Sequence, residues 1–166
     1  MKKKIVSVIM VLLLVTADQA AKYLTVLKLK PVGRYPLLDG VFSLQYVENN
    51  GAAFGILQDQ KAVFVIMTIL IAAGIGYVIY QMPPDRHYTP LLCVCTLLLA
   101  GAAGNFIDRI LHTYVIDFLY FEAINFPVFN VADCYVTISA VLLFFLIMFF
   151  YQEEDFSFLS VKSKAS

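Results

Sequence analysis

Of the 166 residues, 61% belong to the apolar and aromatic set and only 14% are charged, with twelve basic side chains balancing twelve acidic ones. A soluble domain of this size has too little interior to hide so much apolar surface, so lipid must cover the remainder. Zero net charge leaves no positive field to hold a nucleic-acid backbone, and the three cysteines, Cys93, Cys95 and Cys134, lie in apolar runs as packing residues rather than as a disulfide framework or a metal site.

Four stretches are long and apolar enough to span a bilayer. The first covers residues 5–24 and follows the cluster Lys2, Lys3, Lys4. Taken alone it could be a cleaved leader, with Val15-Thr16-Ala17 as its cleavage site. Three further spans argue instead for a retained helix. Near its end Asp18 and Lys22 stand four apart on one face, in the favourable order for an ion pair. A self-neutralising surface pair is the plain reading of the two.

Next, Phe42, Leu44 and Tyr46 alternate with Ser43 and Gln45, the period of a strand with one apolar face. Asn50-Gly51 then supplies a hairpin-turn signal, and the β segment is expected over about 35–58. The second span, 62–80, and the third, 88–110, flank a short loop holding Pro83, Pro84 and Arg86. In the third, Gly101, Gly104, Asn105 and Asp108 follow the i, i+3, i+4, i+7 rule and form one small, polar stripe, which Arg109 adjoins. Close helix packing explains the glycines. It does not call for Asn105 or Asp108.

Residues 111–129 hold Tyr114, Phe118, Tyr120, Phe121, Phe126 and Phe129, an aromatic composition suited to the membrane surface. Asp117 within them reads equally well as an ordinary loop acid. The last span, 131–151, starts after Pro127 with Asn130 placed to cap it and Asp133 in its first turn. A polar tail, 152–166, follows. The expected fold is therefore an all-α polytopic membrane protein: one integral domain over 1–166, with four transmembrane helices and a small extracytoplasmic β segment.

With an even number of spans, Lys2, Lys3, Lys4, Arg86, Lys162 and Lys164 share one side, which the distribution of basic residues makes cytoplasmic. The bias is modest, because Lys28, Lys30 and Arg34 lie in the opposite loop and Lys22, Lys61 and Arg109 at its edges. His87 and His112 fall on opposite sides.

An aspartate at the middle of a spanning helix costs about 2.5–3.5 kcal/mol on insertion scales, and intramembrane ionisable residues are by default functional. Here Asp18, Asn105, Asp108, Arg109, Asp117, Asn130 and Asp133 all fall toward the outer side, and separate accidents would not share one depth. Two close carboxylates cannot easily both ionise, so one can activate water while its protonated partner polarises a carbonyl. A zinc site of the His-Glu-x-x-His type and a Gly-x-Ser-x-Gly elbow are both absent from the sequence. Cys134 with His112 makes a poor nucleophilic pair among apolar neighbours. The alternative that remains is a small proton- or cation-conducting membrane protein, which buried acids at one depth would also suit.

Five blocks in order resemble the lipoprotein signal peptidase (signal peptidase II) family: Asp18-Gln19-Ala20-Ala21-Lys22, Asn49-Asn50-Gly51-Ala52-Ala53-Phe54-Gly55, Gly104-Asn105-Phe106-Ile107-Asp108-Arg109, Val115-Ile116-Asp117-Phe118 and Phe129-Asn130-Val131-Ala132-Asp133. Ala100 and Thr113 stand where that family often has glycine, and Cys134 where it often has serine. The resemblance implies a cell-membrane aspartic protease that removes the signal peptide from diacylglyceryl-modified prolipoproteins just before the lipidated cysteine. It implies Asp117 and Asp133 as the catalytic dyad, and Asn49, Gly51, Asn105, Arg109 and Asn130 as substrate-binding residues. Asp18, Lys22 and Asp108 would support them. It further implies an outer cradle around residues 41–47, a mobile outer helix near Tyr120, and inhibition by globomycin-type cyclic peptides. No metal or other cofactor is expected.

Overall fold

The computed structural model describes residues 2–51 and 61–159. Helix α1, Lys2–Leu24, runs on as a π-helical turn, Thr25–Leu29. Strands β1, Arg34–Leu38, and β2, Phe42–Asn49, precede α2, Lys61–Gln81, and α3, Thr89–His112. Strand β3, Val115–Phe121, a 3-10 turn, Glu122–Ile124, helix α4, Val131–Phe149, and a 3-10 segment, Glu153–Leu159, complete the chain. All four long helices have the length and apolar composition to cross a membrane. They match the four expected spans, except that α1 continues to Leu29, α3 runs two residues further to His112, and α4 stops two residues early, leaving Tyr151 to donate its hydroxyl to the His87 carbonyl at 3.0 Å.

Helix α3 packs on each of the other three, and its small residues explain why it can. Ala100 is fully buried. A Cβ on Gly101 would stand 2.6 Å from the Ala132 carbonyl oxygen, and one on Gly104 would stand 2.5 Å from Asp18 Oδ2. These two glycines let α4 and α1 approach the α3 backbone, which is how helices associate where lipid removes the hydrophobic driving force. The outward faces keep their apolar side chains exposed, as at Leu70 and Phe145. A protein solvated by lipid has no reason to hide them.

Helix α3 ends at Thr113, whose φ of 73° is left-handed. A β-branched residue is disfavoured there by roughly 1–2 kcal/mol. Thr113→Gly is therefore expected to raise the thermal unfolding midpoint of the detergent-solubilised protein; a lower midpoint would contradict the strain.

The small sheet is antiparallel in the order β1-β2-β3. Three sequence expectations need correction here. The turn between β1 and β2 falls at Asp39-Gly40, where Gly40 has φ +70°, and not at Asn50-Gly51, which follows β2 and leads into residues outside those described. The expected apolar face of β2 is not the buried one. Ser43 is its buried residue, because β2 is the central strand, part-covered on both faces, and a bulge between Leu44 and Val47 breaks the alternation. Lastly, Tyr120 belongs to a strand and not to an outer helix, since residues 115–121 pair with β2 and only Glu122–Ile124 makes a helical turn. Residues 52–58 of the expected β segment, like Ala52 to Gly55 of the second sequence block, lie outside the described residues.

The other end of the bundle gathers the start of α1, the loop after α2 and the segment after α4. Lys4 Nζ donates to the Tyr80 carbonyl at 2.8 Å, and His87 Nε2 lies 3.0 Å from Asp155 Oδ1. His87 stacks on Phe150 with ring centroids 5.0 Å apart. His112, at the end of α3, sits at the sheet end.

Candidate active site

The site is built on a buried charge cluster. Lys22 and Asp18, one turn apart on α1, are joined by Asp108 from α3. The Lys22 ammonium lies 2.9 Å from Asp18 Oδ2, 2.9 Å from Asp108 Oδ2 and 2.9 Å from Asn105 Oδ1, which engages all three of its hydrogens. Asp18, Lys22 and Asp108 are at most 1% exposed, so this is no surface pair. Gln19 Nε2 closes the cluster by donating to Asp108 Oδ1 at 2.9 Å and to the Gly104 carbonyl at 3.1 Å.

The two acids also fasten the elements that follow. Asp18 Oδ1 accepts the Ala132 amide at 2.9 Å, in the first turn of α4, and Asp108 Oδ2 accepts the Ile116 amide at 3.1 Å, at the start of β3. One cluster thus fixes both segments that carry the remaining acids. Buried charges are tolerated only when paired and hydrogen-bonded, and this set meets that condition.

Two asparagines, Asn105 and Asn130, connect the cluster to Asp117 and Asp133, and a third, Asn49, holds Asp117 from the other side. Asn105 Oδ1 is taken by Lys22 and by Asn130 Nδ2, so its Nδ2 faces Asp133 Oδ1, at 2.7 Å. Asn130 caps α4: its Oδ1 accepts the Asp133 amide at 3.0 Å, and Asp133 Oδ2 accepts the Asn130 amide at 3.1 Å. The same Asn130 donates through Nδ2 to Asp117 Oδ1 at 2.6 Å, while Asn49 Nδ2, oriented by the Gly51 amide on its Oδ1, donates to Asp117 Oδ2 at 2.8 Å. The capping reading of Asn130 and Asp133 and their place beside Asp117 are both observed; one does not exclude the other.

Burial, and then the neighbouring charge of Asp133, push the Asp117 carboxyl up to about 7, against the opposing effect of its two asparagine donors.

Asn49, Gly51, Asn105, Arg109, Asp117 and Asp133 line one cavity of about 690 Å³. Asn130 does not reach it; fully buried, it stands behind Asp117 with the Asp18–Lys22–Asp108 cluster. Arg109 is propped over the Phe64 ring at 4.5 Å, and its hydrogen bonds among the described residues are long, 3.4 Å to the Asn105 carbonyl and 3.5 Å to that of Gly51. Against those residues its donors are largely uncommitted. Apart from Thr137 the remaining wall is largely apolar, with Phe121, Phe126 and Phe129 from the aromatic segment and Val136 and Ile138 from α4. Cys134 also lines it.

Gln19 and Phe64 were not among the expected site residues. Gln19 adjoins Asp18 in the first sequence block but points a helical step away from it, so only the position of α3 reveals its role. Phe64 sits in an unbroken apolar run that sets no residue apart. Among the described residues, no cluster of three or more His, Cys, Asp or Glu is arranged to hold a metal ion.

A family model described as "Signal peptidase (SPase) II" matches residues 10–150. Lipoprotein signal peptidases of Streptococcus pyogenes serotype M5 (strain Manfredo) and serotype M18 (strain MGAS8232) are each 40% identical over 155 residues, which is 93% of this chain and 98% of theirs. A bacterial membrane enzyme solved by the in meso method at 2.3 Å resolution superposes with a TM-score of 0.77 and 29% identity, over 97% of this chain and 94% of that one. A second, at 1.9 Å, gives 0.76 and 32% over 88% and 94%.

Proposed function

The chain belongs to the signal peptidase II family of peptidases, and from that membership and the cavity we propose that it is an intramembrane aspartic endopeptidase. Its family acts on prolipoproteins. The finer reading is that it cuts diacylglyceryl-modified precursors just before the lipidated cysteine. The observation that carries it is the meeting of Asp117 from β3 and Asp133 from the head of α4 in one largely apolar cavity with a polar rim. In the orientation we propose, both termini are cytoplasmic and the cavity faces outward.

Asp133 is the ionised member of the dyad. Each of its oxygens accepts a hydrogen bond, it lies at the positive end of the α4 dipole, and the Asn105 amide relays the Lys22 charge to it. Asp117 holds the proton. Asp133 takes a proton from water as the water oxygen attacks the scissile carbonyl carbon, and Asp117 gives its proton to the carbonyl oxygen. The tetrahedral diol then collapses: Asp117 recovers a proton from one hydroxyl, and Asp133 passes its proton to the leaving nitrogen. One product ends in a carboxylic acid and the other begins with the amine of the lipidated cysteine.

The polar rim serves the peptide and the apolar wall the lipid. Arg109 holds a substrate carbonyl and the Gly51 carbonyl accepts a substrate amide, its own N–H being spent on Asn49, while the aromatic wall takes the acyl chains and the end of the signal helix. Lipid binding then orients the scissile bond between the two acids. Asn130 acts on Asp117, and through the α4 cap on Asp133, rather than on substrate. Globomycin-type cyclic peptides would occupy the same cavity.

A protonated Asp117 sets the sign of the pH dependence. Its carboxyl titrates near 7, so kcat/KM should hold steady just below neutrality and fall toward tenfold per pH unit well above it. A pH profile that keeps rising to pH 9 would contradict the assignment. The test of the substrate class is a precursor compared with its Cys→Ser form, which cannot be lipidated. Cleavage of the lipidated form alone is expected, and equal cleavage of both would remove the lipid from the account.

A further inference from the structure

We propose that the cavity between the start of α1 and the loop after α2 binds the phosphate of an anionic glycerophospholipid headgroup. It has a volume of about 290 Å³ and lies at the end of the bundle away from the dyad. Lys2, Lys3 and Lys4 line it together with Asp85 and Thr89.

The lysines there differ in kind from Lys22. Where Lys22 spends all three donors on two carboxylates and an amide, among the described residues Lys3 Nζ donates only to the Asp85 carbonyl at 3.3 Å and Thr89 Oγ1 at 2.9 Å, and Lys4 Nζ only to the Tyr80 carbonyl. Lys2 has no partner among the described residues, and no described carboxylate lies within ion-pair distance of any of the three. Against the described residues, three ammonium groups therefore keep most of their donors free and their charge outside any ion pair around one hollow. The Asp85 carboxylate, which also lines it, is exposed and turned to the His87 amide at 2.7 Å. One anion faces three cations, and a phosphate supplies the missing acceptors.

The rest of the cavity argues for a lipid rather than a free phosphate ester. The hollow lies where two spanning helices begin, at Lys2 and at Thr89, which is the depth of the headgroup layer. Beneath the lysines it is lined by Met82, 4% exposed, and Leu92, 8% exposed, with Pro83 and Pro84 beside them. A glycerol backbone and the first acyl carbons fit such a floor, and an inorganic anion gains nothing from it. Bound there, the phosphate would tie α1 to the ends of α2 and α3.

The test is native mass spectrometry of the full chain in detergent, titrated with short-chain phosphatidylglycerol, short-chain phosphatidylcholine or glycerol 1-phosphate. Phosphatidylglycerol should be retained at least roughly tenfold better than phosphatidylcholine, because its net negative charge meets three basic side chains and one acid, whereas the choline neutralises the other headgroup. The triple substitution Lys2→Gln, Lys3→Gln, Lys4→Gln should abolish that preference. Removal of as many charges at the other end, by Lys28→Gln, Lys30→Gln and Arg34→Gln, should preserve it. Equal retention of the two lipids, or equal loss in both variants, would overturn the site, and binding of glycerol 1-phosphate as tight as that of the lipid would overturn the headgroup in favour of a soluble phosphate ester.

Discussion

Asp117→Asn and Asp133→Asn should each reduce kcat/KM for a lipidated prolipoprotein by about 10⁴-fold, the scale on which removal of one member of a cooperating catalytic set acts. Asparagine has nearly the same shape but can neither take a proton from water nor give one to the carbonyl. At Asp117 the change exchanges an acceptor for a donor opposite Asn49 or Asn130, both of which donate. At Asp133 it does so opposite Asn105 Nδ2 or the Asn130 amide. Each variant therefore loses about 1–3 kcal/mol of stability from one mispaired buried group and should still purify as a folded protein. Paired cleavage and thermal-unfolding measurements separate the two effects. A folded variant with wild-type turnover would remove that residue from the dyad.

Lys22→Met should cost about 3–5 kcal/mol, because it leaves Asp18 and Asp108 buried without their shared cation. The loss reaches beyond the cluster. Asn105 Oδ1 then keeps only the Asn130 amide as a donor, so the Nδ2 it presents to Asp133 is held less firmly. Activity should fall by more than the unfolded fraction accounts for, and Lys22→Met combined with Asp18→Asn and Asp108→Asn should recover stability without recovering full activity. The measurements are unfolding in detergent and kcat/KM on the same preparations. Wild-type stability in Lys22→Met would mean that the cluster is not what holds α1, α3, β3 and α4 together.

Much of this arrangement is written in local pattern. The four spans follow from apolar length, and the stripe of Gly101, Gly104, Asn105 and Asp108 faces α1 and α4 because helical periodicity places it on one side. The role of Asn130 as a cap was equally readable, since an asparagine ahead of an apolar run with an acid three residues on has a local mechanism. What the chain does not spell out is contact across distance. Asn49 meets Asp117 from 68 residues away and Asp18 meets the Ala132 amide from 114 residues away, and no spacing rule reaches so far.

Strand β3 was hidden for a different reason. Val115, Ile116, Asp117 and Phe118 are all buried, so no alternation of apolar and polar residues marks the run as a strand, and its aromatics read as belonging to the membrane surface. The hairpin turn expected at Asn50-Gly51 falls at Asp39-Gly40 instead, and pairing of β2 with β3 on its far side leaves Asn50-Gly51 outside the hairpin. The acid pair in α1 looked self-sufficient because its third partner, Asp108, lies on another helix.

The proposed dyad, Asp117 and Asp133, should hydrolyse the bond before a lipidated cysteine, and intact-mass analysis of products tests this when the purified protein meets a diacylglyceryl prolipoprotein in the presence of a chelator. The expected result is a mature product that begins with the lipidated cysteine, formed by the wild-type protein and by neither Asp117→Asn nor Asp133→Asn. Cleavage at another bond, cleavage restored only by an added cation, or the same product from either variant would contradict it.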